Sequence, residues 1–209
     1  MSIIVITPPT DEALTLGEVK DYLRVSVTTD DQLIEDLIGE ARTWAENLTG
    51  RALMPQTREL VLDAFPDSPA KIYCAPIQAI STFKYRDSTG AETTWLPATN
   101  YILDADHVPP RLSLGYGISW PSVTLYPVSG VRVRFTSGYS LGSAAITLQR
   151  TAVPQPLKKT MLRRIQWLYD HRDVAVTAGL RGRIDVSTPE TVERALAQEL
   201  NPYRLWRFA

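Results

Sequence analysis

The sequence has little of what most enzymes and metal sites require. Its 209 residues include one cysteine and two histidines. A single cysteine, Cys74, excludes a disulfide within the chain and any cluster of thiolate ligands. Cys74 lies in the strand-like run 71–74, so we expect a buried structural thiol. The glycines form neither Gly-x-Gly-x-x-Gly nor a phosphate loop, which excludes these nucleotide-binding motifs.

Long hydrophobic runs are also missing. No apolar stretch approaches the roughly 18 residues of a membrane span, so we expect no membrane partner. The apolar start Met1–Ile6 is followed at once by Thr7-Pro8-Pro9 and lacks the charged start and the length of a signal peptide. The sequence therefore indicates a protein made in the cytoplasm, and its 44% of hydrophobic residues are enough for a folded core.

The net charge of −1 conceals an uneven distribution along the chain. Residues 1–70 carry a net charge of −8, residues 71–150 of +3 and residues 151–209 of +4. Opposite charges at the two ends of a sequence can attract each other within one fold or between neighbouring copies. The distribution leaves both possibilities open.

The N-terminal part predicts two helices. Thr15-Leu16-Gly17-Glu18 reads as a capping box, in which Thr15 and Glu18 satisfy each other's backbone N–H groups, and it opens a short helix to about Arg24. From Asp30 to Thr49 apolar residues recur at helical spacing, and Gly50 suits a left-handed cap.

Two further helices are predicted near the C-terminus. Pro154 and Pro156 open one that ends near Asp173, since proline is tolerated in a first turn. Thr188-Pro189-Glu190 begins the last helix, which runs to about Leu200. Residues 174–186 between them look loose and mobile.

The middle of the chain changes to short strands interrupted by proline and glycine. The predicted strands are Thr57–Asp63, Lys71–Tyr73, Ile80–Tyr85, Glu92–Leu96, Tyr101–Leu103, Arg111–Leu114 and Val131–Phe135, with a turn at Asp87–Gly90. They favour a small antiparallel sheet or sandwich and an α+β fold. We expect a helical part at 1–52, a β-rich insertion at 53–150, helices completing the helical part at 151–200 and a tail at 201–209.

Three groups of side chains are candidates for chemistry. The acidic group Asp30, Asp31, Glu35, Asp36 and Glu40 lacks neighbouring His or Asn ligands, so a solvated helix face is the better interpretation and no metal is expected. His107 with Asp104 or Asp106 would be the centre of an enzyme, but no catalytic motif surrounds it. The basic flank of the third long helix would serve a DNA-packaging or DNA-end-binding protein, and it comprises Lys158, Lys159, Arg163, Arg164 and Arg172.

Aromatic and basic side chains crowd the C-terminus. Chain ends are usually polar and poorly ordered, whereas Tyr, Trp and Arg are enriched in binding hot spots. The tail therefore either folds back onto its own domain or docks into a groove of another protein. The candidate partner-binding residues are Tyr203, Arg204, Leu205, Trp206, Arg207 and Phe208.

Several short segments resemble, in order and spacing, the opening of a known family. They are Leu14–Val25, Asp30–Ile34, Ala41-Arg42, Leu48–Leu53 and Gln56-Thr57, and Pro202-Tyr203-Arg204 resembles the end of longer members. The family is that of the head–tail connector proteins, also called adaptors or head-completion proteins, of long-tailed bacteriophages and gene-transfer agents.

The resemblance implies a structural protein with no catalytic site and no cofactor. Family members form a ring, typically of twelve copies, beneath the portal in the virion neck, where the ring extends the DNA channel. The implied partners are the portal protein, the next neck protein (the stopper), other copies of the chain and the packaged DNA. The resemblance also implies that the N-terminal helix pair packs against the later helices, and it assigns the six tail residues named above to the portal contact.

Overall fold

A computed structural model of the chain describes residues 2–66, 69–95, 98–140, 146–171 and 189–205. Within these ranges the α-helices are α1 (Leu16–Leu23), α2 (Asp31–Thr49), α3 (Ile146–Ala152), α4 (Gln155–Asp170) and α5 (Pro189–Leu200). The strands are β1 (Ser2–Thr7), β2 (Gln56–Leu62), β3 (Ala70–Lys71), β4 (Ile77–Arg86), β5 (Glu92–Thr94), β6 (Tyr101–Asp104), β7 (Arg111–Leu114) and β8 (Val131–Ser137). This content confirms the predicted α+β class.

The chain divides into two compact units. The helical unit contains the described residues of 11–49 and 140–204, and the β unit contains those of 1–10 and 50–139 together with Leu205. The predicted loose stretch 174–186 lies outside the described residues. Among the described helices, none has the length and apolarity needed to cross a bilayer.

The first two helices begin and end where their sequence signals predict. Thr15 Oγ1 accepts from the Glu18 backbone N–H at 3.1 Å, and the Glu18 carboxylate accepts from the Thr15 backbone N–H at 2.7 Å. Arg24 ends α1 in the left-handed conformation, with φ of 59°. Gly50 follows α2 with φ of 72°, which confirms the predicted glycine cap.

Helix α4 is the centre of the helical unit and packs against α1, α2 and α5. Its buried apolar residues are Leu157, Met161 and Ile165, and those of α2 are Ile34, Leu37, Ile38, Ala41 and Ala45. The expected packing of the N-terminal helix pair with later helices is therefore confirmed. Burying a large aliphatic side chain stabilises a fold by about 1.5–3 kcal/mol, so this shared core is a main source of the unit's stability.

Two helix boundaries near the C-terminus differ from the prediction. Helix α3 precedes the prolines and was not predicted, and α4 ends at Asp170 rather than near Asp173. The backbone of Pro154 is extended, with φ of −55° and ψ of 133°, so this proline separates α3 from α4. The last helix matches its predicted bounds.

The β unit consists of two antiparallel sheets. The larger sheet has the strand order β1-β2-β8-β4-β5 and the smaller one has the order β3-β7-β6. Residues of both sheets share one hydrophobic core, which contains Leu60, Phe83, Val133 and Phe135 from the larger sheet and Leu112 from the smaller one. The predicted sandwich-like region is therefore present.

Several strand predictions need correction. Strand β1 was not predicted, because its run of apolar residues shows no alternation. The predicted strand Lys71–Tyr73 is reduced to Ala70–Lys71, and β4 begins at Ile77 rather than Ile80 because two register irregularities hide its period. The turn before β5 is confirmed: Asp87 Oδ1 accepts from the backbone N–H groups of residues 89 and 91, at 2.9 and 3.1 Å.

A buried carboxylate joins two strands of the larger sheet. Glu59 on β2 is 4% exposed and accepts from Arg132 at 3.2 Å and from Arg134 at 2.9 Å, both on β8. Buried charges are tolerated when they are paired in this way. Cys74 is fully buried, as predicted, and the Arg58 guanidinium lies 3.6 Å from its Sγ.

Candidate partner-binding surfaces

The C-terminal segment begins with a short turn. After α5, residues Asn201–Tyr203 form a 3-10 helix, and the Arg204 backbone N–H donates to the Asn201 carbonyl at 3.1 Å. Tyr203 is half-buried and Arg204 is exposed. The other aromatic and basic residues of the predicted tail, Trp206, Arg207 and Phe208, lie outside the described residues.

Leu205 is the last described residue and is only 7% exposed. It lies beside Gly50 in the β unit, where a Cβ added to Gly50 would stand 3.4 Å from Leu205 Cβ. The left-handed conformation of Gly50 costs glycine nothing but strains other residues. A side chain at position 50 would therefore be strained and would press on Leu205, so the glycine makes room for the start of the tail.

Helix α5 fixes the chain just before this turn. Leu196 and Leu200 are 6% and 0% exposed. Glu199 accepts from Thr160 Oγ1 at 3.1 Å with one carboxylate oxygen and pairs with Arg163 through the other. The candidate tail thus follows a helix that is held by both apolar burial and polar contacts.

Arg164 of α4 is the most enclosed cation that the described residues contain in the helical unit. Its guanidinium donates to Glu193 at 2.5 Å and to Glu40 at 3.1 Å. The same group lies over the ring of Trp44, with Cζ 4.7 Å from the ring centroid. Because Glu40 is on α2 and Glu193 on α5, this one side chain links three helices.

The basic flank of α4 is therefore not a row of free cations. Arg163 and Arg164 pair with glutamates, and Lys158 is 8% exposed. Lys159 is exposed, and Arg172 lies outside the described residues. Neutralising phosphates requires accessible cations, so the structure gives the DNA-binding alternative little support.

The His107 region forms a turn in which the polar groups bind each other. The backbone N–H of His107 donates to Asp104 Oδ1 at 3.2 Å, and Arg111 donates to Asp104 Oδ2 at 2.6 Å. The hydrogen bond from Arg111 is the main cause that holds the pKa of Asp104 below its ordinary value. His107 Nδ1 lies 2.9 Å from the Pro109 carbonyl oxygen, to which a protonated Nδ1 donates a hydrogen bond. The Asp104 carboxylate therefore supports a turn, and its lowered pKa does not suit a general base at neutral pH.

The acidic group near the start of α2 is divided between contacts and solvent. Asp31 accepts from Lys20 at 2.5 Å, and Asp30 accepts from the Tyr169 hydroxyl. Glu35 and Asp36 are exposed, as expected of a solvated helix face, and Glu40 is exposed but also accepts from Arg164. Within the described ranges no three His, Cys, Asp or Glu side chains come together as a possible metal site.

The loop after β7 presents a tyrosine that sequence reasoning did not select. Tyr116 is 105% exposed and lies between Gly115 and Gly117. A Cβ on Gly115 would stand 2.6 Å from the Thr99 carbonyl oxygen, and Gly117 has φ of 72°, so both flanking positions favour glycine. The sequence signal that was available is Gly115-Tyr116-Gly117, because two glycines around one residue are typical of a turn. Tyrosine is common in binding hot spots, which makes this tip a second candidate contact.

The first part of the chain matches a protein-family model. Residues 13–93 match the Phage gp6-like head-tail connector protein family. The predicted resemblance to head–tail connectors is confirmed. The connector match begins just before α1 and ends within β5, so it includes the capping box, α2 and the Gly50 turn.

The fold of the whole chain is similar to that of chains in solved gene transfer agent particles. These structures are described as the neck of an empty particle computed with C6 symmetry, the virion of the native particle, and the neck of the native particle computed with C12 symmetry. The TM-scores are 0.71, 0.72 and 0.70, and each match is 22% identical and covers 100% of this chain and 98% of the other. At this identity the likeness shows the fold. Among curated protein sequences, none matches the chain.

Proposed function

We propose that this chain is a structural head–tail connector in the neck of a bacteriophage or gene-transfer-agent particle, and not an enzyme. The connector match over residues 13–93 carries the proposal. The fold shared with chains of particle necks supports it over the rest of the chain. In this role the protein lies beneath the portal, extends the channel for the packaged DNA and provides the platform for the next neck protein, the stopper.

The connector works as a ring of identical copies. The likeness to chains of a neck with C12 symmetry supports twelve copies. A ring requires head-to-tail contacts, in which two different surfaces of the chain meet. The net charge of −8 over residues 1–70 and of +4 over residues 151–209 provides unlike surfaces for such contacts.

The C-terminal tail contacts the portal. Its members are Tyr203, Arg204, Leu205, Trp206, Arg207 and Phe208, and the burial of Leu205 beside Gly50 gives it a fixed starting point. Anchoring the first residue reduces the conformational entropy lost when the following side chains dock. In this arrangement Leu205 secures the tail, and the two aromatic residues after it supply the hot-spot contacts.

The test is binding of the purified chain to the portal protein of the same particle. A truncation after Leu205 keeps the buried anchor and removes the last four residues. We expect it to lose portal binding while its unfolding temperature stays that of the full chain. Trp206→Ala should weaken binding by about 2 kcal/mol or more, which is roughly 30-fold, as for a buried aromatic anchor.

Tyr126→Ala is the matched control, because it removes an exposed aromatic side chain outside the tail. It should leave portal binding unchanged. Equal binding by the truncated and full chains would remove the role of the tail, and a full chain that does not bind the portal at all would remove the connector proposal itself.

A further inference from the structure

The larger sheet carries a group of cations on the face that points away from the shared core. The residues of β8 that alternate with Arg132 and Arg134 are fully buried, so these two arginines lie on the outer face. Lys84 of β4 lies directly opposite Arg132 on the same face, and Arg86 follows two residues later. We call these four residues the basic face.

The basic face has more cations than carboxylates. Among the described residues of this face, Glu59 is shared by the two arginines of β8, and Glu92 is shared by Lys84 and Arg86. Four cations less two carboxylates leave a net charge of +2. Like charges directly opposite each other, such as Lys84 and Arg132, destabilise a sheet. The face therefore suits an anionic partner.

The arginines of the basic face are held in place but remain accessible. The side chains of Arg132 and Arg134 are 33% and 42% exposed, whereas that of Glu59 is 5% exposed. A guanidinium has five N–H donors, and Arg134 uses only its Nε and Nη2 groups on Glu59. Because Glu59 already fixes these side chains, they lose little conformational entropy when a second carboxylate binds.

The arginines of α4 are engaged differently. Arg164 alone binds two carboxylates, Glu40 and Glu193, and Arg163 binds Glu199. Carboxylates therefore outnumber these cations, whereas cations outnumber carboxylates on the basic face. The β unit, and not this helix, supplies the accessible positive charge for a contact between copies.

The helical unit exposes carboxylates that match this charge. Glu35 and Asp36 on α2 are exposed, and neither forms an ion pair within the part of the chain that the structure describes. The amide of Gln32 donates to Asp36 at 3.1 Å. Leu33, three residues before Asp36, lies on the same side of the helix and is 38% exposed. We call Leu33, Glu35 and Asp36 the acidic face.

We propose that the basic face of one copy binds the acidic face of the next copy in the connector ring. The inference rests on the connector function and names the two surfaces that its ring contact uses. A ring requires two different surfaces that fit each other, and this chain carries both. The opposite charges orient the two copies as they meet.

Apolar residues accompany the charges on both sides, which favours a protein partner over DNA. Ile4 of β1 lies opposite Glu59 on the outer face of the sheet and is 42% exposed, and Leu33 belongs to the acidic face. Protein interfaces combine apolar residues with a polar rim, whereas phosphates are bound by cations, hydroxyl groups and backbone N–H groups. Each copy in a ring makes the contact twice, once with each face, so the closed ring is held more strongly than a pair.

Exchange of charge between the two faces tests whether they meet. Lys84→Glu reverses one charge of the basic face and places a carboxylate opposite Arg132, which a sheet tolerates. Asp36→Lys reverses an exposed charge of the acidic face. In sedimentation of the full chain at about 0.1 M salt, each single reversal should raise the concentration for half-assembly about tenfold or more. The double variant should return it to that of the unmodified chain.

Lys71→Glu is the matched control, because Lys71 is an exposed lysine of the smaller sheet. It should leave assembly unchanged, and in combination with Asp36→Lys it should restore nothing. Rings that tolerate both single reversals, or a double variant no better than the single ones, would overturn the proposal. If Lys84→Glu weakens the binding of a short DNA duplex and leaves the rings intact, the basic face binds DNA and the proposal is wrong.

Covalent trapping detects the same contact when rings are short-lived. Cys74 is fully buried, so a short bis-maleimide linker reacts with thiols introduced by Lys84→Cys and Asp36→Cys. The variant with both thiols should give a ladder of dimers, trimers and larger species, whereas each single-thiol variant stops at the dimer. No species above the dimer contradicts the contact.

Portal binding separates this inference from the connector function. A double-thiol variant that binds the portal but gives no ladder keeps the connector function and removes the contact between the two faces. A ladder from a chain that does not bind the portal keeps the contact between copies and removes the connector function.

Discussion

Arg163 and Arg164 are neighbours on α4, and both pair with glutamates, but their surroundings differ. The Arg164 side chain is 8% exposed, whereas that of Arg163 is 55% exposed. Arg164 also stacks on Trp44, so its removal loses packing as well as charge. We expect Arg164→Ala to lower the free energy of unfolding by about 2–3 kcal/mol, and Arg163→Ala to lower it by less than about 1 kcal/mol. Urea unfolding of the full-length variants checks this, and equal losses would contradict it.

Arg164→Lys separates the charge of this residue from its shape. Lysine keeps the positive charge but cannot donate to two carboxylates from one rigid plane while it lies flat on an indole ring. The free energy of unfolding of Arg164→Lys should therefore fall between that of the unchanged chain and that of Arg164→Ala. If Lys and Ala were equally destabilising, the planar contacts would account for the whole effect.

At the scale of elements, helix α1 has eight residues and depends on its cap, because short helices are marginal on their own. Burial alone would raise the pKa of Glu18, but the hydrogen bonds from Thr15 and the charges of Lys158 and Arg150 together lower it. A lowered pKa means that the ionised carboxylate stabilises the folded state. This contribution is complete above the ordinary value of 4.5 and is lost as the pH falls through the lower value in the folded protein.

The expected outcome is that the protection of the α1 amides against exchange, measured relative to an unstructured chain at the same pH, falls at acidic pH as Glu18 is protonated. Glu18→Gln cannot titrate, so in that variant this acid-dependent component should disappear. Thr15→Ala should speed exchange at all pH values, because it removes an N-cap worth about 1 kcal/mol. Hydrogen exchange of the α1 amides in the unchanged chain, in Glu18→Gln and in Thr15→Ala checks these expectations. An unchanged pH dependence in Glu18→Gln would remove the role assigned to the carboxylate.

The elements that were predicted from the sequence are those whose signals are local. Helices α1, α2 and α5 have side-chain caps, prolines or a terminal glycine at their ends, and β7 has clear turns on both sides. Strand β1 and helix α3 lack such signals: β1 is an unalternating apolar run, and α3 precedes the prolines that marked the next helix. The register of β4 was hidden by its two irregularities, which depend on pairing with β8 and not on its own residues.

At the scale of the whole molecule, the order of the short segments that resemble head–tail connectors predicted the family match over residues 13–93, but not the contacts around the candidate site. Gly50 accommodates Leu205, which lies 155 positions later in the sequence. No local sequence pattern encodes a pair so far apart. The same is true of Arg164, which the sequence presented as one of five cations on a helix flank. Its glutamate partners on α2 and α5 emerge only from the packing of the helices.

Salt should weaken the ring contacts proposed for this chain. Contacts between an acidic first part and a basic last part weaken as the screening length falls from about 10 Å at 0.1 M salt to about 3 Å at 1 M. Sedimentation over this range should therefore show rings giving way to smaller species. Rings that persist at 1 M salt would show that their contacts are apolar, and the uneven charge would then act within each copy.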